Sequence, residues 1–480
     1  MALDKLKPRD ACTIAYLAQI PTTDRTQFND YIDKLGRSDN FQRLRDEISK
    51  VATEMHIHPH PQFIDAAVYA IVASRNGLHV LLEGPSGSGL STLARFVSDF
   101  CTKEILRDKR IVVPEVLLGP ESTVENIIGS FKPQEMKSNE TDLTKLIKWE
   151  NGPLLIAVES GIPVILDRID EAKAQVTERL NPILEKNARR DKAPFLVPEK
   201  GESTEQQVAQ GFVVIATLTT NPNRQTQAIS LALRNRFVTV AVEPPELNEE
   251  FRTLFAQTVI SKVAMKTKSI KADELPYNIR PTIPQIDQIN QMAQAVSTSL
   301  PNTSTIREVA QLAHSACSTF GIIDGLPNIE LIALCHLHRD VLASNAAEIL
   351  IQRMLNLPKS GQRFFYDSDR NSPMWQSIAA LTISSASGWP LFLQGEPGCG
   401  KTEAVRHFSA NRTFNSKTPV FSVSCSGEAQ IEQFIGSMVF EKNGFRFVEG
   451  PLVQAARQGC VFLADEFNLL TPAVMIGLVP

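Results

Sequence analysis

Two stretches of this chain are copies of one another, and that repeat limits what the chain can fold into. Phe63–Gly89 (FIDAAVYAIVASRNGLHVLLEGPSGSG) and Met374–Gly400 (MWQSIAALTISSASGWPLFLQGEPGCG) align without a gap at an offset of 311. Each reads as a helix of about four turns, a glycine stop (Gly77, Gly388), a short apolar strand and a Gly-rich loop. Downstream, Ile127–Phe131 (IIGSF) returns as Phe434–Met438 (FIGSM). Trp149–Asp170 (WENGPLLIAVESGIPVILDRID) returns as Phe447–Asn468 (FVEGPLVQAARQGCVFLADEFN) at an offset of 298. In both copies the glycine of the GPL step, Gly152 or Gly450, precedes the acidic strand end, Asp167 or Asp465, by 15 positions. Order, spacing and chemistry repeat together, as in two copies of one module.

The strand signals are near-continuous apolar runs, among them Val80–Leu82, Val164–Leu166, Val213–Ala216 and Val461–Leu463. Such runs suit strands buried on both faces, and hence an α/β fold with a parallel sheet covered by helices. Pro244-Pro245 closes the first α/β region, and Glu246 to about Leu357 has helical periodicity with few strand signals, so a helical lid is expected there. The expected division is an N-terminal helical region over 1–55, a first large domain over 56–245, a lid over 246–360 and a second large domain over 361–480. At the 298 offset Pro480 corresponds to Pro182, inside the helix after the acidic strand. The second copy is therefore read as C-terminally truncated, with further central strands expected beyond Pro480.

The second copy carries Gly395-Glu396-Pro397-Gly398-Cys399-Gly400-Lys401-Thr402, which fits G-x-x-x-x-G-K-[ST] at every fixed position. Its glycines let the backbone curl so that successive N–H groups face phosphates, and the following helix adds the positive end of its dipole. Lys401 suits the β- and γ-phosphates of ATP, and Thr402 suits Mg²⁺. The apolar strand Val461–Ala464 then delivers Asp465 and Glu466 at its C-terminal end, where α/β sheets bind ligands. Asp465 is placed to hold Mg²⁺ through water, and Glu466 to orient or deprotonate an attacking water. Cys399 lies inside the loop, where Lys401 and the helix start favour a thiolate.

The first copy departs at the positions that matter most for chemistry. Its loop runs Gly84-Pro85-Ser86-Gly87-Ser88-Gly89-Leu90-Ser91-Thr92, with Leu90 where the lysine belongs. Gly84, Gly87, Gly89, Ser91 and Thr92 keep the elements of a phosphate cradle. Its strand ends Leu166-Asp167-Arg168, so an arginine stands where the second copy has Glu466. Asp170 and Glu171 are expected on the next helical turn, exposed. The first site is read as non-hydrolysing, with nucleotide binding left open.

The combination of GEPGCGKT with FVEGPLVQAARQGCVFLADEFNL resembles midasin-like AAA+ ATPases, ring ATPases related to dynein and to MoxR-type proteins. The resemblance covers roughly 60–345 and 374–480. It implies a P-loop NTPase sheet with a helical lid, followed by a second, truncated AAA+ domain. In the first copy, Phe195–Glu199 with Gly201-Glu202 resembles the family hairpin, and Phe212–Thr217 resembles the strand bearing sensor 1. Ser230–Phe237 (SLALRNRF) resembles the family's S-P-A-L-x-N-R-F step. The resemblance implies Arg236 as arginine finger, with Arg234 as its rival, and Arg307 as the lid's sensor-2 residue. The family's A-T-x-N-P reads here as Ala216-Thr217-Leu218-Thr219-Thr220-Asn221-Pro222, which leaves sensor 1 as Thr219 or Asn221. ATP and Mg²⁺ are the implied cofactors. The implied partners are other AAA+ modules in a ring and a protein or ribonucleoprotein substrate, by resemblance ribosomal large-subunit precursors in the nucleus.

Composition excludes several classes. The formal charge is −4 and the densest basic run, Arg189-Arg190-Asp191-Lys192, is broken by an acid, so no direct nucleic-acid binding is expected. Seven dispersed cysteines without a C-x-x-C pair suit a reducing compartment, and no apolar run is long enough to span a bilayer, which suits an intracellular, soluble chain. His56, His58 and His60 have metal-ligand spacing, but Pro59 and Pro61 between and after them favour a linker. A different class of function is a nucleotide-gated pseudo-ATPase scaffold that turns over no ATP of its own. A P-loop kinase or GTPase is disfavoured by the Asp-Glu strand end and by the lack of N-K-x-D.

Overall fold

The computed structural model describes residues 39–75, 77–106, 112–120, 122–133, 147–184, 195–200, 205–209, 211–220, 229–269, 284–300, 306–320, 372–411, 420–441 and 444–478. Asn221, Gly201-Glu202, the Arg189–Lys192 run and the lid segment 321–360 lie outside them. The chain divides into two compact units, Met1–Met55 with Pro59–Pro245 and Val439–Arg446, and His56–His58 with Glu246–Met438 and Phe447–Pro480.

The first unit opens with α1 (Asp39–Glu54) and α2 (Pro61–Arg75), then β1 (His79–Pro85) and α3 (Leu90–Leu106). Next come β2 (Glu115–Leu117), α4 (Val124–Ile128), the hairpin β3 (Gly129–Pro133) and β4 (Ile147–Asn151), α5 (Pro153–Ser160) and β5 (Pro163–Asp167). It continues through α6 (Ala174–Arg179), α7 (Asn181–Leu184), the hairpin β6 (Phe195–Leu196) and β7 (Glu205–Gln206), then β8 (Val213–Thr220), α8 (Leu231–Arg234) and β9 (Phe237–Ala241). Five strands form one sheet in the order β2-β5-β8-β1-β9. Every pairing in it is parallel. All five residues of β5 are buried, as are the first six of β8. Sandwiching by helices explains why these strands read as unbroken apolar runs. With β1 beside β8, and β8 beside β5, the C-terminal ends of all three open on the same side as the Gly84–Thr92 loop.

The second unit begins with three helices, α9 (Glu249–Ser269), α10 (Ile286–Ser299) and α11 (Ile306–Phe320). The repeat then supplies α12 (Pro373–Ser387), α13 (Lys401–Ala410), β10 (Phe421–Ser424), α14 (Glu432–Ile435), β11 (Gly436–Glu441), β12 (Gly444–Glu449), α15 (Pro451–Gln458), β13 (Phe462–Asp465) and α16 (Pro472–Gly477). The expected lid helices share one core with the repeat: Ile260, Val296 and Val309 bury with Ile378 and Phe408. β10 and β13 pair in parallel, with Ser424 opposite Asp465.

The repeat is visible as punctuation. α5 and α15 each start Gly-Pro and each stop on a left-handed glycine, Gly161 or Gly459. Gly129 and Gly436 adopt φ of 135° and 121°. A Cβ on Gly129 would stand 2.4 Å from the Glu150 carbonyl oxygen, and one on Gly436 2.2 Å from that of Val448. Gly152 N–H donates to Ile128 at 2.7 Å, and Gly450 N–H to Ile435 at 2.8 Å. The I-G-S and G-P-L signatures recur together because their backbones are pressed against each other, leaving no room for a side chain.

One expectation fails. The apolar segment before the second loop, Leu391–Gln394, is in no strand, and Phe392 is 62% exposed. In the first unit the corresponding β1 is held from both sides by β8 and β9. Among the described residues the second copy's parallel sheet consists of β10 and β13 alone, and neither pairs with this segment. Without strands on either side, the segment has no ladder to join.

Candidate functional site: two phosphate loops compared

The two loops share a backbone. In the first, Gly87 and Gly89 both have φ of 87°; in the second, Gly398 and Gly400 have 80° and 86°. Each loop runs directly into its helix, α3 or α13. The second loop's Lys401 ammonium donates to the carbonyl oxygens of Gly395 (2.7 Å) and Glu396 (2.9 Å) and lies 3.8 Å from the exposed Cys399 thiol. Thr402, next along, donates to Asp465 Oδ2 at 3.4 Å. A hydroxyl and a carboxylate at the mouth of a phosphate loop are hard oxygen donors, the set that Mg²⁺ takes together with phosphate oxygens. Glu466 is exposed and adopts a left-handed backbone, φ 55° and ψ 41°. Cys425, whose N–H donates to the Asp465 carbonyl at 2.8 Å, has its thiol pushed up, first by burial and then by the Asp465 charge.

The first copy closes more tightly. Ser91 Oγ lies 2.9 and 3.1 Å from the two oxygens of Asp167. Thr217, buried on β8, donates to Asp167 Oδ1 at 2.5 Å and accepts the Arg168 N–H at 2.9 Å. Arg168 has φ 59° and ψ 55°, the same left-handed turn as Glu466. Among the described residues only these two and His56 have positive φ without being glycine. Such backbones cost on the order of 1 kcal/mol or more and cluster at functional sites. Leu90 is buried and presents no charge.

Several residues fall differently from expectation. Asp170 is buried rather than exposed; its carboxylate accepts the Thr219 N–H at 3.3 Å, and burial pushes its pKa up. Thr219 itself sits on β8 opposite Gly84. Arg234 pairs with Glu83, the β1 residue just before the loop, while Arg236 Nη1 donates to the Ala232 carbonyl at 2.7 Å. Arg307 lies exposed in the first turn of α11, in the second unit. His60 Nδ1 accepts the Phe63 N–H at 3.3 Å at the start of α2, and His58 stacks edge-on against Phe251; no metal cluster occurs among the described residues. Thr217 and Glu83 are the site residues that sequence reading missed. Thr217 closes the quoted run FVVIAT, but its link to Asp167 needs the β5–β8 pairing to be known.

A family model, the AAA domain of the dynein-related subfamily, matches residues 79–237 and 390–480, more than half of the chain. The chain belongs to the dynein-related AAA family. Its curated relatives include the midasin of Giardia intestinalis, 22% identical over 87% of this chain and 10% of that protein. The midasin of Dictyostelium discoideum is 24% identical over 72% of this chain and 6% of that protein. The NorQ protein of Paracoccus denitrificans is 27% identical over 46% of this chain and 75% of NorQ. The chain thus spans a tenth or less of the midasins' length. Its first unit has the five-stranded parallel α/β sheet expected of an AAA domain. No helix among the described residues is long and apolar enough to cross a membrane.

Proposed function

We propose that the second copy binds Mg-ATP and that this chain works as part of a ring of AAA+ modules remodelling macromolecular complexes. The observation that carries the reading is the Thr402–Asp465 contact beside a complete phosphate loop and a left-handed Glu466. Lys401, which now donates to its own loop carbonyls, would turn to the β- and γ-phosphates. Thr402 and Asp465 would hold Mg²⁺, which when bound draws charge from the phosphate oxygens. Glu466 would orient the attacking water and take its proton. Gly395, Glu396, Pro397, Gly398, Cys399 and Gly400 would wrap the phosphates with backbone N–H groups. In the first copy, Gly84, Gly87, Gly89, Ser91 and Thr92 would do the same without turnover. Arg236 would serve a neighbouring module as arginine finger. The Arg234–Glu83 pair supports this choice, since it ties the rival arginine down within its own unit. Arg307 would act as a sensor-2 residue. By analogy with midasins, ribosomal large-subunit precursors in the nucleus are the proposed substrate.

The 480-residue chain alone is expected to bind ATP but hydrolyse it poorly, because among the described residues no strand lies beside β13 as β8 lies beside β5, and the arginine finger for the second site would come from a neighbouring module. A robust steady-state rate that Glu466→Gln abolishes would overturn this dependence on neighbours. The second reading, a nucleotide-gated scaffold, is favoured by the unpaired segment 391–394, which leaves the second loop without the strand support of the first. Turnover that stays absent after neighbouring modules are supplied would decide for the scaffold.

A further inference from the structure

The two departures of the first copy are usually counted as two losses, but their charges oppose. Lys401 becomes Leu90, which removes one positive charge from the loop, while Glu466 becomes Arg168, which replaces a negative charge with a positive one at the strand end. At these two positions taken together the first copy is more positive than the intact one by one unit. We propose that the first copy is a nucleoside-triphosphate clamp that binds without turnover, with Arg168 holding the terminal phosphate in place of the missing lysine. The proposal rests on the reading of both loops as nucleotide sites.

Four observations carry it. The loop keeps the intact copy's backbone at both left-handed glycines. Its coupling to the strand end is tighter than in the intact copy, 2.9 Å for Ser91 to Asp167 against 3.4 Å for Thr402 to Asp465. Arg168 leaves the strand end on the same left-handed turn as Glu466, with its N–H fixed by Thr217, so its exposed side chain starts where the intact copy's acid starts. Within the loop, the hydroxyl of Ser88, a residue only 4% exposed, is buried without a hydrogen-bond partner at the floor under Gly84. A fully degenerate turn would gain nothing from holding a strained arginine and a buried orphan hydroxyl. A guanidinium suits this task because its planar fork matches phosphate oxygens, and it has no basic lone pair with which to activate water. The clamp breaks no bond: the triphosphate enters and leaves intact.

The test is calorimetric titration of the full chain with ATPγS and with ADP. Wild type is expected to take two equivalents of ATPγS, and Lys401→Ala one. In the Lys401→Ala background, Arg168→Glu should weaken ATPγS by about tenfold or more while ADP changes by less than about threefold, and Arg168→Lys should restore most of the loss. Glutamate is accommodated at this turn by Glu466, and an unchanged melting temperature would confirm that the variant folds. One equivalent for wild type and none for Lys401→Ala overturns the clamp and leaves the second site standing. One equivalent for both overturns the second site and leaves the clamp. Equal losses for ATPγS and ADP on Arg168→Glu would remove Arg168 from the terminal phosphate.

Discussion

Replacing Thr217 with valine tests the wiring of the strand ends. The two side chains have nearly the same shape, so packing changes little, but the hydroxyl makes two bonds in a site where Thr217 is 1% exposed. It donates to the Asp167 carboxylate at 2.5 Å and accepts the Arg168 N–H at 2.9 Å. Losing a hydrogen bond to a charged group costs about 1.5–3 kcal/mol, and leaving the partly buried Arg168 N–H unpaired adds on the order of 1–2 kcal/mol. We therefore expect Thr217→Val to destabilise the first unit by about 3–5 kcal/mol, which for a body of this size lowers its melting temperature by roughly 10 °C. Thr217→Ser keeps the hydroxyl and loses only a methyl, so about 1 kcal/mol is expected. Differential scanning calorimetry of the three proteins separates the cases. A valine variant within about 1 kcal/mol of the serine variant would refute the hydrogen-bond account.

Other expectations follow from single contacts. Gly436→Ala would drive a Cβ into the Val448 carbonyl, and a loss on the order of 3 kcal/mol should appear in urea unfolding of the second unit. Asp170 has its folded pKa raised above 3.8 by burial, so the folded state holds the proton more tightly; its contribution to stability is greatest at acid pH and declines as pH rises through the folded value. Asp170→Asn, the residue the second copy has at position 468, should remove that decline and be neutral to stabilising at pH 7, as read from pH-dependent melts. Cys399, 3.8 Å from the Lys401 ammonium inside the loop, should be shielded from alkylation by saturating Mg-ATP; mass spectrometry showing equal labelling with and without nucleotide would count against a phosphate-wrapping loop.

The parts of this architecture written in short-range pattern were legible in the sequence. The two offsets located both modules, because a glycine forced by a carbonyl 2.2–2.4 Å from its would-be Cβ cannot drift. The loop, Asp465 and Glu466 were legible because phosphate chemistry fixes both residue type and spacing. What stayed hidden depends on pairings far apart in the chain. Glu83 and Arg234 meet only because their elements flank the same sheet end. Thr217 looks like any β-branched strand residue until β8 is placed beside β5. Asp170 read as an exposed helix-turn acid, yet Thr219 of that same strand draws it inside. Leu391–Gln394 read as a strand because its hydropathy matches β1, whereas a strand also requires partners.

The central claim is that the Gly395–Thr402 loop, with Asp465, is an ATP site. Titration of Mg-ATP into wild type and Lys401→Ala tests it most directly. Loss of the lysine's charged contacts should weaken the second site by about a hundredfold or more, on the order of 3 kcal/mol. Glu466→Gln, which keeps the loop and the metal-ligand pair, should bind as tightly as wild type. Undiminished affinity at that site in Lys401→Ala would contradict the account.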